Sequence, residues 1–406
     1  MRVLLAPHGT RGDIQPMLAL AVALRARGHA AVFSAPSNFL DWIQRCGFEA
    51  MSNGTDIAAE MQSPEARLDS VRWMFTCMKD QTARMFAPVA RASEGADLIV
   101  GAGAQLVSDS VADWRDVPHA MVAFCPCAVP SSATPPPMIR TQALPPWVNR
   151  LLWQAASAGA DVGLNGVINR GRAALGIPSI ARPLTQIFRH RVIVSADRDL
   201  APLGDDVLDS VSGIDAMIFV EPHARDPRVE AFLNLGPAPV YVGFGSMVAA
   251  RSPELAAHAI AAIRALGRRA IIAGGWAGLD RYVTPGDDLL AIDAMPHDAV
   301  FPRVAAIVHH GGAGTTTAAA SAGVPQVILP HLLDQFYWAH RIEQLGLGPR
   351  ALPIDLITAD ILTDRLDIAL HDAGIRKRSA AIGPAVAARN GAADAVLHLE
   401  QLAGCP

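Results

Sequence analysis

The chain has 406 residues, of which 51% are hydrophobic and 18% charged. That is enough apolar material for two cores, and it argues against extensive disorder. A net charge of −4 leaves no electrostatic footprint for nucleic acid or an anionic membrane surface.

In chain order, the first half alternates strand and helix. Val3–Ala6 reads as a strand and Gly9-Thr10-Arg11-Gly12-Asp13 as a turn. Pro16–Arg27 reads as a helix with an apolar face at Met17, Leu20, Ala21 and Leu24, closed by Gly28. Ala31–Ser34 is a second strand, and Asn38–Cys46 a second helix with Ser37 as cap and Gly47 as terminator. Asp97–Gly101 and Ala120–Phe124 repeat the strand pattern. This alternation predicts parallel βαβ units, an α/β fold. Pro126–Pro146 then reads as a loop with two proline runs, Leu151–Leu175 as a helix, and 213–239 as polar and proline-punctuated.

The pattern restarts with Val240-Tyr-Val-Gly-Phe-Gly-Ser246. Pro253–Leu266 reads as a helix. Ala270–Ala273, Leu289–Ile292, Ala305–Val308 and Gln326–Leu329 read as strands. A helix is expected from Asp334 to about Leu345, and another over Ile375–Leu402, broken at Gly383-Pro384. Domains are therefore expected over 1–213 and 240–384, joined by a linker at 214–239, with a last helix over 385–406. Each domain opens with a strand and a glycine turn. Ligands of open α/β sheets sit beyond the carboxyl ends of the strands, where both turns lie.

The turn His309-His-Gly-Gly-Ala-Gly-Thr-Thr316 follows a buried-strand pattern and leads into a helix-compatible stretch ended by Gly323. Such a turn offers unpaired backbone N–H groups and the positive end of a helix dipole, a place for phosphate. It carries no lysine, so backbone, imidazole and hydroxyl groups would do the holding. Adjacent histidines leave a strand end on opposite sides, so one of the two is structural. Asp13 reads equally as a helix cap, which Pro16 in the first turn supports, or as a carboxylate placed to take a proton from a bound hydroxyl. Asp334-Gln335 reads as a helix cap or as a pair for sugar hydroxyls.

Other features carry less. Gly101-Ala-Gly103 imitates a dinucleotide fingerprint but lacks its third glycine, which excludes NAD. Asp197-Arg-Asp199 has no accompanying ligand cluster and reads as surface. The cysteines Cys46, Cys77, Cys125, Cys127 and Cys405 form an odd, scattered set that fits a reducing cytoplasm. Cys125-Pro-Cys127 is too tight for a usual zinc pair and reads as structural. Trp73, Met74, Phe75, Met78, Met85 and Phe86 read first as core, and second as adaptable lining for an apolar ligand. No segment approaches the roughly 20 apolar residues of a membrane span.

Taken together, the chain resembles the family 1 glycosyltransferases of GT-B fold, two Rossmann-like domains facing across a cleft. It is most similar to the bacterial antibiotic-aglycone (vancomycin-type) and sterol branches. The resemblance rests on Gly9-Thr-Arg-Gly-Asp-Ile-Gln-Pro16, Tyr241-Val-Gly-Phe-Gly-Ser246, Met295-Pro-His-Asp298, His309–Thr315 and Asp334-Gln335, in family order over nearly the whole chain. It implies an inverting, metal-independent transfer from a UDP- or dTDP-sugar as co-substrate, without a cofactor. It assigns Asp13 as catalytic base and Thr10, Gly245 and Ser246 to the donor phosphates. His310, Gly312, Gly314 and Thr315 become the diphosphate turn, and Met295 and His297 the nucleoside segment. Asp334 and Gln335 become the sugar pair, and the last helix is expected to return to the first domain. Met74, Phe75, Met78, Phe124, Met138 and Trp147 are the expected acceptor contacts. Their apolar character, with aromatics at only 5%, fits a lipophilic macrolide, polyketide or sterol better than a polysaccharide. A cytoplasmic monomer or weak dimer is expected. The competing readings are a sugar-nucleotide epimerase of the same architecture and a non-catalytic nucleotide-sugar-binding partner. The second predicts a lost base or a broken phosphate turn, and Asp13 and His310 are both present.

Overall fold

A computed structural model describes residues 1–63, 66, 70–221, 226–247 and 252–404. Cys405 and residues 222–225 of the expected linker lie outside the described residues. Seven strands form a parallel sheet: β1 (Arg2–His8), β2 (Ala30–Ala35), β3 (Glu49–Ser52), β4 (Leu98–Gly103), β5 (His119–Ala123), β6 (Arg191–Ser195) and β7 (Val211–Ile214). Their order is β3-β2-β1-β4-β5-β6-β7. Five more, β8 (Val240–Gly243), β9 (Ala270–Ala273), β10 (Leu289–Ile292), β11 (Ala306–His309) and β12 (Gln326–Ile328), form a second parallel sheet ordered β10-β9-β8-β11-β12. Val3 to Ala6 and Ala306 to Val308 are almost wholly buried, as unbroken apolar runs are when helices cover both sheet faces. In each sheet the order reverses beside its first strand. The crevices at those reversals lie between β1 and β4, where His8 pairs with Gly103, and between β8 and β11, where Gly243 pairs with His309. Both glycine-rich turns leave from these points.

Several elements differ from the sequence reading. β6 and β7 continue the first sheet through a region without clear alternation. Within the stretch expected as linker, the helix Pro227–Asn234, capped by the Asp226 carboxylate, packs Val229, Phe232 and Leu233 against Tyr241, Ile271 and Phe301 of the second domain. The helix Ala373–Ala387 runs straight through Gly383-Pro384. The glycine is there for packing: a Cβ on Gly383 would lie 3.0 Å from the Gly323 Cα. The break comes after Ala388. Helix Ala392–Leu402 then lies on the first domain, burying Ala395, Val396 and Leu399 in one core with Leu20, Leu24 and Phe33. The Arg27 guanidinium forks onto Glu400 at 2.7 and 2.8 Å, and His29 meets the same carboxylate at 2.8 Å.

Within Asp197-Arg-Asp199, Arg198 and Asp199 are exposed as read, and only Asp197 departs from the surface reading. Asp197 is buried, accepts the N–H groups of Asp199 and Leu200, and binds Arg389 together with Asp199. Arg198 pairs with Asp215. The triplet therefore clamps the crossing that carries the chain back to the first domain. The Met-rich helix Val71–Ala92 packs against helix Pro146–Ala174, with the rings of Phe75 and Phe86 set over Gly163 and Gly171.

Candidate active site

The second-domain turn is built for an anion. His309 ends β11 fully buried; its Nε2 meets the Gln326 Oε1 at 2.9 Å and its Nδ1 accepts the Gly311 N–H. Burial holds this imidazole at about 3, so it is neutral. His310 turns the other way. Its ring lies beside Gly245 and Gly312: Cβ atoms there would fall 3.4 Å from its Cε1 and 2.5 Å from its Nε2. Its Nδ1 is buried without a partner among the described residues, and burial, with three neighbouring imidazoles, lowers its pKa well below the usual value. Gly311 adopts φ of 89°, and a side chain there would strike Ile328. Helix Ala313–Ser321 begins at Gly312 with no side-chain cap. The Thr316 and Thr317 hydroxyls bond back to the carbonyls of Gly312 and Ala313, and a side chain at the exposed Gly314 would stand in open space; the first N–H groups of the helix have no intrahelical partner.

The opposing turn carries Asp13 at the third position of helix Arg11–Ala26. Both of its sequence readings apply. Oδ2 accepts the Thr10 N–H at 2.7 Å and the Thr10 hydroxyl at 3.4 Å, which is capping. Oδ1 takes no hydrogen bond among the described residues. The carboxyl is wedged between two glycines: a Cβ on Gly9 would meet Oδ2 at 2.1 Å and one on Gly103 would meet Oδ1 at 2.5 Å. Burial pushes its pKa up to about 7, against the Thr10 bonds, and the charge of Asp334 in the other domain adds to the rise.

Asp334 precedes helix Gln335–Leu345, and burial raises it to about 6. Leu333 before it holds φ of 51°, a strained backbone for a branched side chain. Gln335 is committed locally. Its Oε1 accepts the N–H groups of His331 and Leu332, and its amide donates to the Met247 sulfur at 3.1 Å. It thus ties the Asp334 loop to the segment after β8. His297 stacks on Phe301 at 4.2 Å with Tyr241 at its edge, and Met295 packs on the same cluster. Gly245 and Ser246 follow β8; the Gly245 carbonyl accepts the Trp276 N–H at 2.9 Å. The Trp276 ring stacks on Phe39 of the first domain at 6.3 Å.

The comparisons with known proteins agree with this geometry. A family model described as "Glycosyltransferase family 28 N-terminal domain" matches residues 3–85, and "Erythromycin biosynthesis protein CIII-like, C-terminal domain" matches 281–402. Glycosyltransferase GtfE of Amycolatopsis orientalis is 39% identical over 86% of this chain and 85% of its own length. The vancomycin aglycone glucosyltransferase of the same organism is 36% identical over the same shares. The chain belongs to the antibiotic-type GT-B glycosyltransferases. The sterol 3-beta-glucosyltransferase UGT80A2 of Arabidopsis thaliana is 28% identical over 98% of this chain and 64% of its own. Among solved structures, the glycosyltransferase VinC in complex with dTDP superposes with a TM-score of 0.72, at 20% identity over the whole of both chains.

In this glycosyltransferase the expected acceptor residues have different surroundings, and Met74 is half-buried on helix Val71–Ala92. Phe75 and Met78 pack into the first-domain core, Phe124 leans on the core beside β1, and Met138 and Trp147 are exposed. A cavity of about 1090 Å³ opens between helix Pro146–Ala174 and the segment 181–189, and touches neither glycine turn. Sequence reasoning missed Gly103, set aside as a false dinucleotide motif, which lines Asp13. It also missed His331, whose Nδ1 donates to the Leu329 carbonyl at 2.8 Å beneath the Asp334 loop. Among the described residues no helix is long and apolar enough to cross a membrane.

Proposed function

We propose that the enzyme is an inverting, metal-independent hexosyltransferase. Its donor would be UDP-glucose or a dTDP-sugar, and its acceptor a hydroxyl of a lipophilic aglycone. The observation that carries this reading is the opposition of two switch-point turns: an ionisable carboxylate on one, an uncapped helix N-terminus on the other. Asp13 takes the proton of the acceptor hydroxyl on Oδ1 while Thr10 holds Oδ2. The oxygen attacks the anomeric carbon from the face opposite the nucleotide, and the leaving diphosphate gains charge. Free N–H groups at Ala313, Gly314 and Thr315, with the His310 Nε2–H, receive that charge without help from a cation. His310 does this as a neutral imidazole. Met295 and His297 border the nucleoside, Ser246 the phosphates, and Asp334 the sugar, with Gln335 fixing the Asp334 loop. The relatives support an aglycone acceptor: they include a vancomycin aglycone glucosyltransferase and an O-mycaminosyltylonolide 6-deoxyallosyltransferase.

The test is mass spectrometry of acceptor libraries incubated with UDP-glucose and dTDP-sugars, with and without EDTA. Expected is a hexose mass gain on a lipophilic alcohol, unchanged by the chelator. Loss of activity in EDTA, restored by magnesium, would overturn the account of leaving-group stabilisation. Rearrangement of the donor sugar with no acceptor present would make the enzyme an epimerase instead.

A further inference from the structure

The reading above leaves Cys125 and Cys127 unused. They follow β5 at a one-turn helix, Pro126–Ala128: Cys125 precedes it as its cap and Cys127 lies within it. Their sulfurs lie 2.7 Å apart, and the Cys127 N–H donates to the Cys125 sulfur at 3.4 Å. Both are free thiols, and both are buried. What buries them is shared between the domains. From the first come Met121, Val129, Leu200 and Ala201; from the second come Tyr337, Trp338 and Ile342 of helix Gln335–Leu345. The Arg341 guanidinium ties that helix to the Leu200 carbonyl at 2.8 Å. The Asp334 charge acts on both thiols, and burial keeps both protonated. The pair therefore lies in a buried cluster that the first domain shares with the helix beginning at the candidate sugar-binding loop, at the contact between the domains.

We propose that Cys125 and Cys127 are a modification site, a thiol pair that closes to an intramolecular disulfide when the domains part and is shielded when they close. The oxidant is a small organic disulfide. One thiolate attacks it, forming a mixed disulfide and releasing one small thiolate. The second cysteine thiolate then attacks the protein-bound sulfur and expels the other. The protein loses two electrons and two protons, and the oxidant becomes two thiols. Among the described residues Cys46 and Cys77 have no cysteine beside them, and they would stop at the mixed disulfide. Drawing the sulfurs to bonding distance shifts the turn that supports Tyr337, so the oxidised enzyme should transfer sugar several-fold more slowly.

The experiment incubates the full-length enzyme with 2,2′-dithiodipyridine, with and without UDP or dTDP. Differential alkylation and peptide mapping follow, with the urea-unfolded chain as control. Expected is a peptide containing both cysteines that has lost two hydrogens and carries no adduct, forming several-fold more slowly with nucleotide. A Cys125→Ser/Cys127→Ser variant should keep its turnover after the same treatment. Separate adducts on Cys125 and Cys127, or two free thiols where the unfolded chain pairs, would overturn the proposal. So would pairing at the same rate with nucleotide that calorimetry shows to be bound. The protection arm rests on the nucleotide-binding reading. Absence of calorimetric binding would refute that reading while leaving the pairing result to stand or fall separately.

Discussion

Asp13 combines two demands that pull its acidity in opposite directions. The Thr10 bonds favour the carboxylate, while burial and Asp334 disfavour it, and the latter prevail, with a pKa of about 7. A base must be ionised to act, so transfer should rise with pH through about 7. Asp13→Asn should lower turnover by roughly 10²–10⁴-fold with little change in donor affinity; retention of near-native turnover would leave Asp13 as a cap only. The raised pKa also fixes a stability sign. The folded value lies above the usual 3.8, so this group's contribution is full below that value and is lost as pH rises through about 7. Thermal scans should show Asp13→Asn more heat-stable than the parent in mild alkali and equal to it in acid. For the histidines, calorimetric titration of UDP or dTDP should show weakened binding in His310→Ala. His309→Ala should act through stability, because Gln326 and the Gly311 N–H hold that ring inside. The opposite pattern would reverse the assignment. Part of this was legible in the sequence: turn chemistry put Asp13 at a glycine turn as cap or base, strand periodicity sent His309 and His310 to opposite sides, and the family resemblance chose between them. Gly103 was not, because it meets Asp13 only through the β1–β4 pairing across 95 positions of chain.

At the scale of elements, local signals and tertiary override divide cleanly. β1, β8, β9 and β11 are buried on both faces, so each is a bare apolar run that reads directly. β7, Val-Ser-Gly-Ile, sits at the sheet edge with only Val211 and Ile214 buried, so too little of it is apolar to give a pattern. Helix Ala373–Ala387 contains Gly383-Pro384, a pair that reads as a break. It persists with Gly383 packed closely against Gly323, just past helix Ala313–Ser321, a pairing no local window contains. Helix Ala392–Leu402 yields a test. Glu400 is held down to about 2, first by Arg27 and then by His29, below its usual 4.5. Its contribution to stability is therefore full above 4.5 and is lost as pH falls toward about 2. Glu400→Gln should lower the neutral-pH Tm by a few degrees, with the gap closing in acid. A neutral-pH Tm equal to that of the parent would mean that the ion pair is only surface decoration.

For the whole molecule, the two sheets meet through an apolar cluster at Tyr337 and Trp338 on one side and through Phe39–Trp276 on another. The second contact is small, and its tryptophan also holds the Gly245 carbonyl. Closure and phosphate-loop order should therefore be linked. Trp276→Ala should raise donor hydrolysis relative to transfer, since an open cleft admits water; an unchanged ratio would separate the two. The return of helix Ala392–Leu402 to the first domain has a different consequence, for assembly. The first-domain core is sealed by Ala395, Val396 and Leu399, and the Arg27–Glu400 pair joins positions 373 apart in sequence. During synthesis Leu20, Leu24 and Phe33 leave the ribosome long before their cover exists. Such an unsealed apolar face must wait, exposed to aggregation or to a chaperone, until almost all of the described chain has been made. Of the two domains, the one translated earlier is thus the one finished later.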